Sequence, residues 1–134
     1  MKNLIELARK LRPIIEQAAQ SLDDKTASDA PEIFGVMKYN GSLIKAGTRI
    51  NWHGTLKQAA VDLWDTEANN PVNAPGLWYD ISYKQGIRVI PEVITATTAF
   101  SMDEKGWWGD VLYKSTISAN VWTPVQNPSG WEIV

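Results

Sequence analysis

The sequence predicts a mainly β protein with an N-terminal α-helical segment, its β part made of two small tandem antiparallel β-modules. Three observations predict this: a sharp change of residue types near residue 31, a helical apolar pattern before it, and an internal duplication after it. Residues 1–30 hold no aromatic residue and no glycine, whereas all seven tryptophans and all nine glycines of the 134-residue chain follow residue 34. The expected division is a helical segment over 1–31, a first β-module over 32–82 and a second over 83–134.

In the first segment Leu4, Leu7, Leu11, Ile14 and Ala18 recur at alternating spacings of three and four, and Ala8, Ile15 and Leu22 widen the stripe. That spacing is one face of an amphipathic helix. Pro13 interrupts it, because an interior proline removes a backbone donor and crowds the preceding turn. Two short helices or one bent helix are therefore expected, with Asp23-Asp24 and Asp29-Ala30-Pro31 supplying the turn or cap chemistry that ends the helical region. A helix this short is marginal alone, so it should pack on the modules or self-associate.

From residue 32 the chain turns to short β-prone runs separated by glycine, proline and asparagine, among them Thr48-Arg49-Ile50-Asn51-Trp52, Gly86-Ile87-Arg88-Val89-Ile90 and Val111-Leu112-Tyr113. Such punctuation is an all-β signature. The runs repeat. At an offset of 56, Gly41-Ser42-Leu43-Ile44 falls on Thr97-Thr98-Ala99-Phe100, and Trp52-His53-Gly54-Thr55-Leu56 on Trp108-Gly109-Asp110-Val111-Leu112. At an offset of 53, Pro71 to Trp78 falls on Pro124 to Trp131, and both copies read P-x-x-x-P-x-x-W. Each copy is about 45 to 50 residues long, near the lower limit for independent folding without disulfides.

Composition narrows the function. Thirteen basic and fifteen acidic residues give a net charge of −2 with no basic run, which disfavours nucleic acid and anionic lipid as partners. The absence of cysteine excludes disulfides, thiolate metal sites and a cysteine nucleophile. No apolar stretch approaches the length of a membrane span, and residues 1–22 lack a signal-peptide core, so a protein without its own export signal is expected. His53, the only histidine, falls at a turn position and is read as a hydrogen-bonded turn residue. Asp62, Asp65 and Glu67, like Asp103 and Glu104, lack calcium-loop spacing and are read as solvated loop charges. No metal and no cofactor is expected, nucleotide-binding elements are absent, and a glycosidase would need two carboxylates flanking a sugar cleft.

The two copies together resemble the small chitin-binding or cellulose-binding modules attached to bacterial chitinases and found in prophage tail proteins. In that family G-T-x-Y-x-x-G-D-x-V-x-Y-N-G-x-L-Y is followed by W-T-P and then P-x-L-W. The first copy carries Gly47-Thr48-Arg49-Ile50, Trp52-His53-Gly54-Thr55-Leu56 and Pro75-Gly76-Leu77-Trp78; the second carries Trp108-Gly109-Asp110-Val111-Leu112-Tyr113, Val121-Trp122-Thr123-Pro124 and Pro128-Ser129-Gly130-Trp131. The resemblance spans about 100 of the 134 residues. The segment Leu-Ala-Arg-Lys-Leu-Arg-Pro-Ile-Ile-Glu resembles the helical leader of small prophage proteins that carry such a module. The resemblance implies a non-enzymatic carbohydrate-binding protein of a phage tail or baseplate, made in the bacterial cytoplasm and carried on the virion. Its partners would be a polysaccharide or cell-wall glycan and other tail proteins, and analogy with tail appendages implies a homo-oligomer, a trimer among the possibilities. The copies also depart from the pattern. The first has Asn69-Asn70-Pro71 in place of W-T-P and Lys57 at the second tyrosine; the second has Asp103-Glu104 where glycine and aspartate stand. A structural virion or assembly protein, its modules serving protein contacts, is the alternative.

Sugar recognition uses flat aromatic faces beside a few polar groups. Neighbouring strand residues face opposite ways, so Trp107 and Trp108 cannot share a core. Trp108 matches Trp52 and Trp107 matches Asn51, which turns Trp52 and Trp108 inward and Trp107 outward. Trp78 and Trp131 share the terminal position and are assigned to the cores. Trp64, Trp107 and Trp122 have no counterpart and are the ligand-binding candidates, with Tyr113 and Tyr79 behind them; the other use for such side chains is to cover an interface.

Overall fold

The computed structural model describes residues 3–134. It is β-rich with an N-terminal helix, and the chain divides into two compact units between Ile81 and Ser82. The helical segment and the first β-module thus belong to one unit.

In the first unit Asn3 caps helix α1 (Leu4–Ala19), its side chain accepting the Ile5 N–H at 2.8 Å. α1 runs through Pro13 as one helix, so the proline does not begin a second one. Asp23 does not end the helical region. Instead it caps a further helix, α2 (Asp24–Asp29), by accepting the Thr26 N–H at 2.7 Å, and a 3-10 turn follows at Pro31–Ile33.

The side of α1 that meets the β-module is its polar side. Arg49 of strand β2 (Arg49–Trp52) is buried, and its guanidinium donates to the carbonyls of Ala19, Gln20 and Leu22 at 2.7 to 3.1 Å and pairs with Asp24 at 3.2 Å. These carbonyls close the end of α1, where partners are lacking and cations are favoured. The Gln20 amide completes the clamp by exchanging two hydrogen bonds with the backbone of Arg49, at 2.8 and 2.9 Å. Arg12 adds bonds to the carbonyls of Glu32 and Phe34.

The first module is built on β1 (Leu43–Ile44), β2, β3 (Thr55–Ala59), β4 (Leu63–Trp64) and β5 (Trp78–Asp80). β2, β3 and β5 form an antiparallel sheet in that order, and β1 pairs with β4. Ile44, Ile50, Ala59, Leu63 and Trp78 form the core, with Met37, Trp52 and Leu77 packed against it.

The second unit begins with a hairpin, β6 (Tyr83–Lys84) and β7 (Ile87–Arg88), followed by β8 (Lys105–Trp108), β9 (Val111–Ser115) and β10 (Trp131–Ile133) in an antiparallel sheet with β9 central. Its core is Ile90, Ile94, Phe100 and Trp131, joined by Trp108, Tyr113 and Val121.

The two modules repeat bond by bond. Trp78 lies opposite Ala59 as Trp131 lies opposite Ser115. The amide of Gly47 donates to the Ala59 carbonyl at 2.8 Å as that of Asp103 does to Ser115 at 2.9 Å. Asp103 takes a positive φ of 67° there, against 88° at Gly47, which aspartate tolerates better than most side chains. The turns differ. His53 and Gly54 both have positive φ, the pattern of a type I′ hairpin, whereas in the second module the matching positive φ is at Gly109.

Candidate functional site

Each module closes on its terminal tryptophan. The indole N–H of Trp78 donates to the Asn69 carbonyl at 2.8 Å, and that of Trp131 to the Trp122 carbonyl at 2.7 Å. Asn69 and Trp122 are the same position of the repeat. The next residue anchors the loop from inside: buried Asn70 accepts the N–H of Asn73 at 2.7 Å, and buried Thr123 accepts that of Gln126 at 3.2 Å. A turn held this way fixes the backbone at residues 69 and 122, with the side chains that follow each of them buried.

Each module has one exposed tryptophan on or bonded to this loop. Trp122 occupies the position itself and is 46% exposed. In the first module Asn69 occupies it and donates from its side chain to the Trp64 carbonyl at 3.0 Å, which ties Trp64, 59% exposed, to the same loop. The closing loops carry side-chain amides, Asn69 and Asn73 in one module and Gln126 and Asn127 in the other, each bonded within its own loop or to the residues beside it. An exposed indole with adjacent donors and acceptors stacks on apolar faces and bonds polar edges.

The other candidates lie elsewhere. Tyr79 on β5 is 60% exposed, on the opposite side of the strand from buried Trp78. Tyr113 packs on the second core, its ring edge-on to Trp131 at 6.5 Å, which is a structural placement. Trp107 faces away from that core and meets the β6–β7 hairpin: its indole N–H donates to the Lys84 carbonyl at 2.9 Å, and the Lys84 ammonium sits 4.9 Å from the ring centre. Half-buried and with its donor spent, Trp107 presents less surface than Trp64 or Trp122. Sequence reasoning could not find this, because the covering hairpin has no counterpart in the matched segments.

His53 stands in the β2–β3 turn with its ring edge-on to Trp52 at 4.5 Å. The reading of the acidic residues as solvated loop charges fails for Asp65, which is buried and accepts the amides of Lys38 and Tyr39 at 3.1 and 3.0 Å. It fails for Glu104 as well, which pairs with Arg88 at 2.9 Å. A cavity of about 200 Å³ in the first unit is lined by Glu16, Gln20 and Asp65 among others, and the hydrogen-bonding groups of all three are engaged with Arg12, Arg49 and the 38–39 backbone. Among the described residues no group of three or more histidines, cysteines or carboxylates is placed to hold a metal ion. No helix among them is long and apolar enough to cross a membrane.

The chain matches no protein-family model and no curated protein.

Proposed function

We propose that the protein is a non-enzymatic glycan-binding component of a phage tail or baseplate, with one shallow aromatic contact on each module for a host-surface or cell-wall polysaccharide. The observation that carries this reading is one exposed indole per module, Trp122 in the closing loop of one and Trp64, whose backbone carbonyl is bonded by the closing loop's Asn69, in the other. Unrelated routes to the same surface feature favour a use for the feature over a packing accident, since large aromatics are ordinarily buried. The resemblance to chitin-binding modules supplies the ligand class, and the helical leader supplies the virion location. Two weak contacts on one chain, multiplied in a homo-oligomer, would gain holding power through avidity.

The test is a titration of intrinsic fluorescence with chito-oligosaccharides and with host cell-wall polysaccharide. Each of Trp64→Ala and Trp122→Ala should weaken the saturable response roughly tenfold, equivalent to about 1.4 kcal/mol, and the double variant should abolish it while remaining folded. A response indifferent to both substitutions, or no response, would favour the structural reading. That reading has its own support: Tyr113 and Trp107 serve internal contacts, so two of the five candidate aromatics are engaged within the module, and other tail proteins would be the partners.

A further inference from the structure

The apolar stripe of α1 is not what holds α1 to its module. Arg12, Glu16, Ala19 and Gln20 face the module, and Leu4, Leu7, Leu11, Ile14 and Ile15 all remain exposed, Leu4 at 81%. The stripe continues into an apolar groove of about 230 Å³ lined by Ile15, Ala18, Ala19, Leu22 and Ile33. We infer that this face binds a second copy of the chain, with two α1 helices packed antiparallel and each filling the other's groove.

The occupant follows from the order of side chains along the helix. Leu4, Leu7, Leu11, Ile14 and Ala18 hold the alternating spacing of a coiled-coil seam. Large residues occupy its N-terminal half, while Ala18 and the groove occupy its C-terminal end. An antiparallel pair sets Leu7 against Ala18, Leu11 against Ile14, and Leu4 over Ser21 and Leu22, so each bulky end enters the other helix's hollow. A parallel pair stacks leucine on leucine at one end and leaves alanine facing alanine at the other, and such voids are costly. The antiparallel arrangement is a two-fold, self-complementary contact. A lipid surface fits less well: interfacial helices are held by aromatic anchors and α1 has none, and of its basic residues Arg9 and Lys10 are exposed while Arg12 is engaged by Glu16 at 2.7 Å and by two backbone carbonyls.

Light scattering of the full chain over a concentration series should give a two-chain mass, without any glycan present. Leu7→Glu, at a position 41% exposed and so compatible with folding, should weaken association roughly a hundredfold while tryptophan emission stays unchanged. Because the chain lacks cysteine, orientation can be read directly by mixing Leu7→Cys protein with Ala18→Cys protein under mild oxidation. The mixed disulfide should dominate, since like positions lie about 16 Å apart along antiparallel helices, beyond the roughly 7 Å Cα separation a disulfide spans. A monomer at every concentration, a three-chain mass, or cross-linking of like with like would overturn the proposal. So would monomeric partition onto phosphatidylserine-containing vesicles.

Discussion

The two modules share a frame and are stabilised differently. At the first residue of the matched strand the first module has Arg49, buried and bonded to three helix carbonyls, while the second has Lys105, exposed on β8. One position further the first has Ile50 in its core and the second has Gly106, where an added Cβ would lie 2.6 Å from Ile90 and 2.8 Å from Phe100. Phe100 in turn stands where the first module has Ile44. Ala59, buried in the first core, corresponds to Ser115, whose hydroxyl bonds the Ile117 carbonyl at 2.7 Å and accepts from buried Asn120 at 3.0 Å. At these exchanged positions the first module is thus filled by aliphatic side chains and braced by a helix, while the second is filled by a phenylalanine over a glycine and braced by a satisfied polar network. A duplicated frame tolerates this exchange because the backbone bonds that define it are the same in both copies.

Four substitutions test that contrast, taken from the largest expected effect downward. Arg49→Ala should cost the first unit about 3–5 kcal/mol, because it leaves buried carbonyls and Asp24 without their partner, whereas Lys105→Ala should stay within about 0.5 kcal/mol. Native-state hydrogen exchange resolves the two, and loss of protection in β2 and β3 with β8 and β9 unaffected is the expected pattern. Gly106→Ala should cost the second unit about 1–3 kcal/mol through overpacking. Phe100→Ile, which installs the first module's residue, should relieve part of that cost, so a double-mutant cycle should show favourable coupling; simple additivity would break the volume-exchange account.

The smallest effects are in pH. The N-cap bond from the Thr26 amide to Asp23, aided by the Thr26 hydroxyl, holds that carboxyl below its ordinary value of 3.8. Its contribution is present above pH 3.8 and fades as pH falls through the lower folded value. Hydrogen bonding and attraction to Glu132 hold the Lys114 ammonium above its ordinary 10.5, so its contribution is present below pH 10.5 and is lost as pH rises through the higher folded value. Thermal melts should accordingly separate wild type from Asp23→Ala at neutral pH and converge in acid, and separate wild type from Lys114→Met at neutral pH and converge in alkali.

Much of this frame was legible in the sequence. The P-x-x-x-P-x-x-W spacing marks the loop and the strand that follows it, and the alternation of Trp107 and Trp108 against Asn51 and Trp52 sets which ring enters the core. The apolar spacing of residues 4–18 marks α1. What could not be read was which side of α1 meets the module, since periodicity locates an apolar stripe without naming its partner. Arg49 looked like any strand-edge cation, because its role depends on three carbonyls some thirty residues earlier. Asp65 was misread for a similar reason: its partners are backbone amides, which leave no trace in residue type. Trp64 and Trp122 were legible as unmatched tryptophans, but the link of Trp64 to the closing loop was not, because it runs from the Asn69 side chain to a backbone carbonyl.

The bond that closes each module ends on a carbonyl, at residue 69 or 122, and a carbonyl is supplied by any amino acid. The closure itself therefore makes no demand on the side chain at that position: asparagine and tryptophan occupy it with the same closure behind them, the asparagine adding a bond of its own to the Trp64 carbonyl. Such a position can carry different surface chemistry over an unchanged closure, as the two copies within this one chain already do.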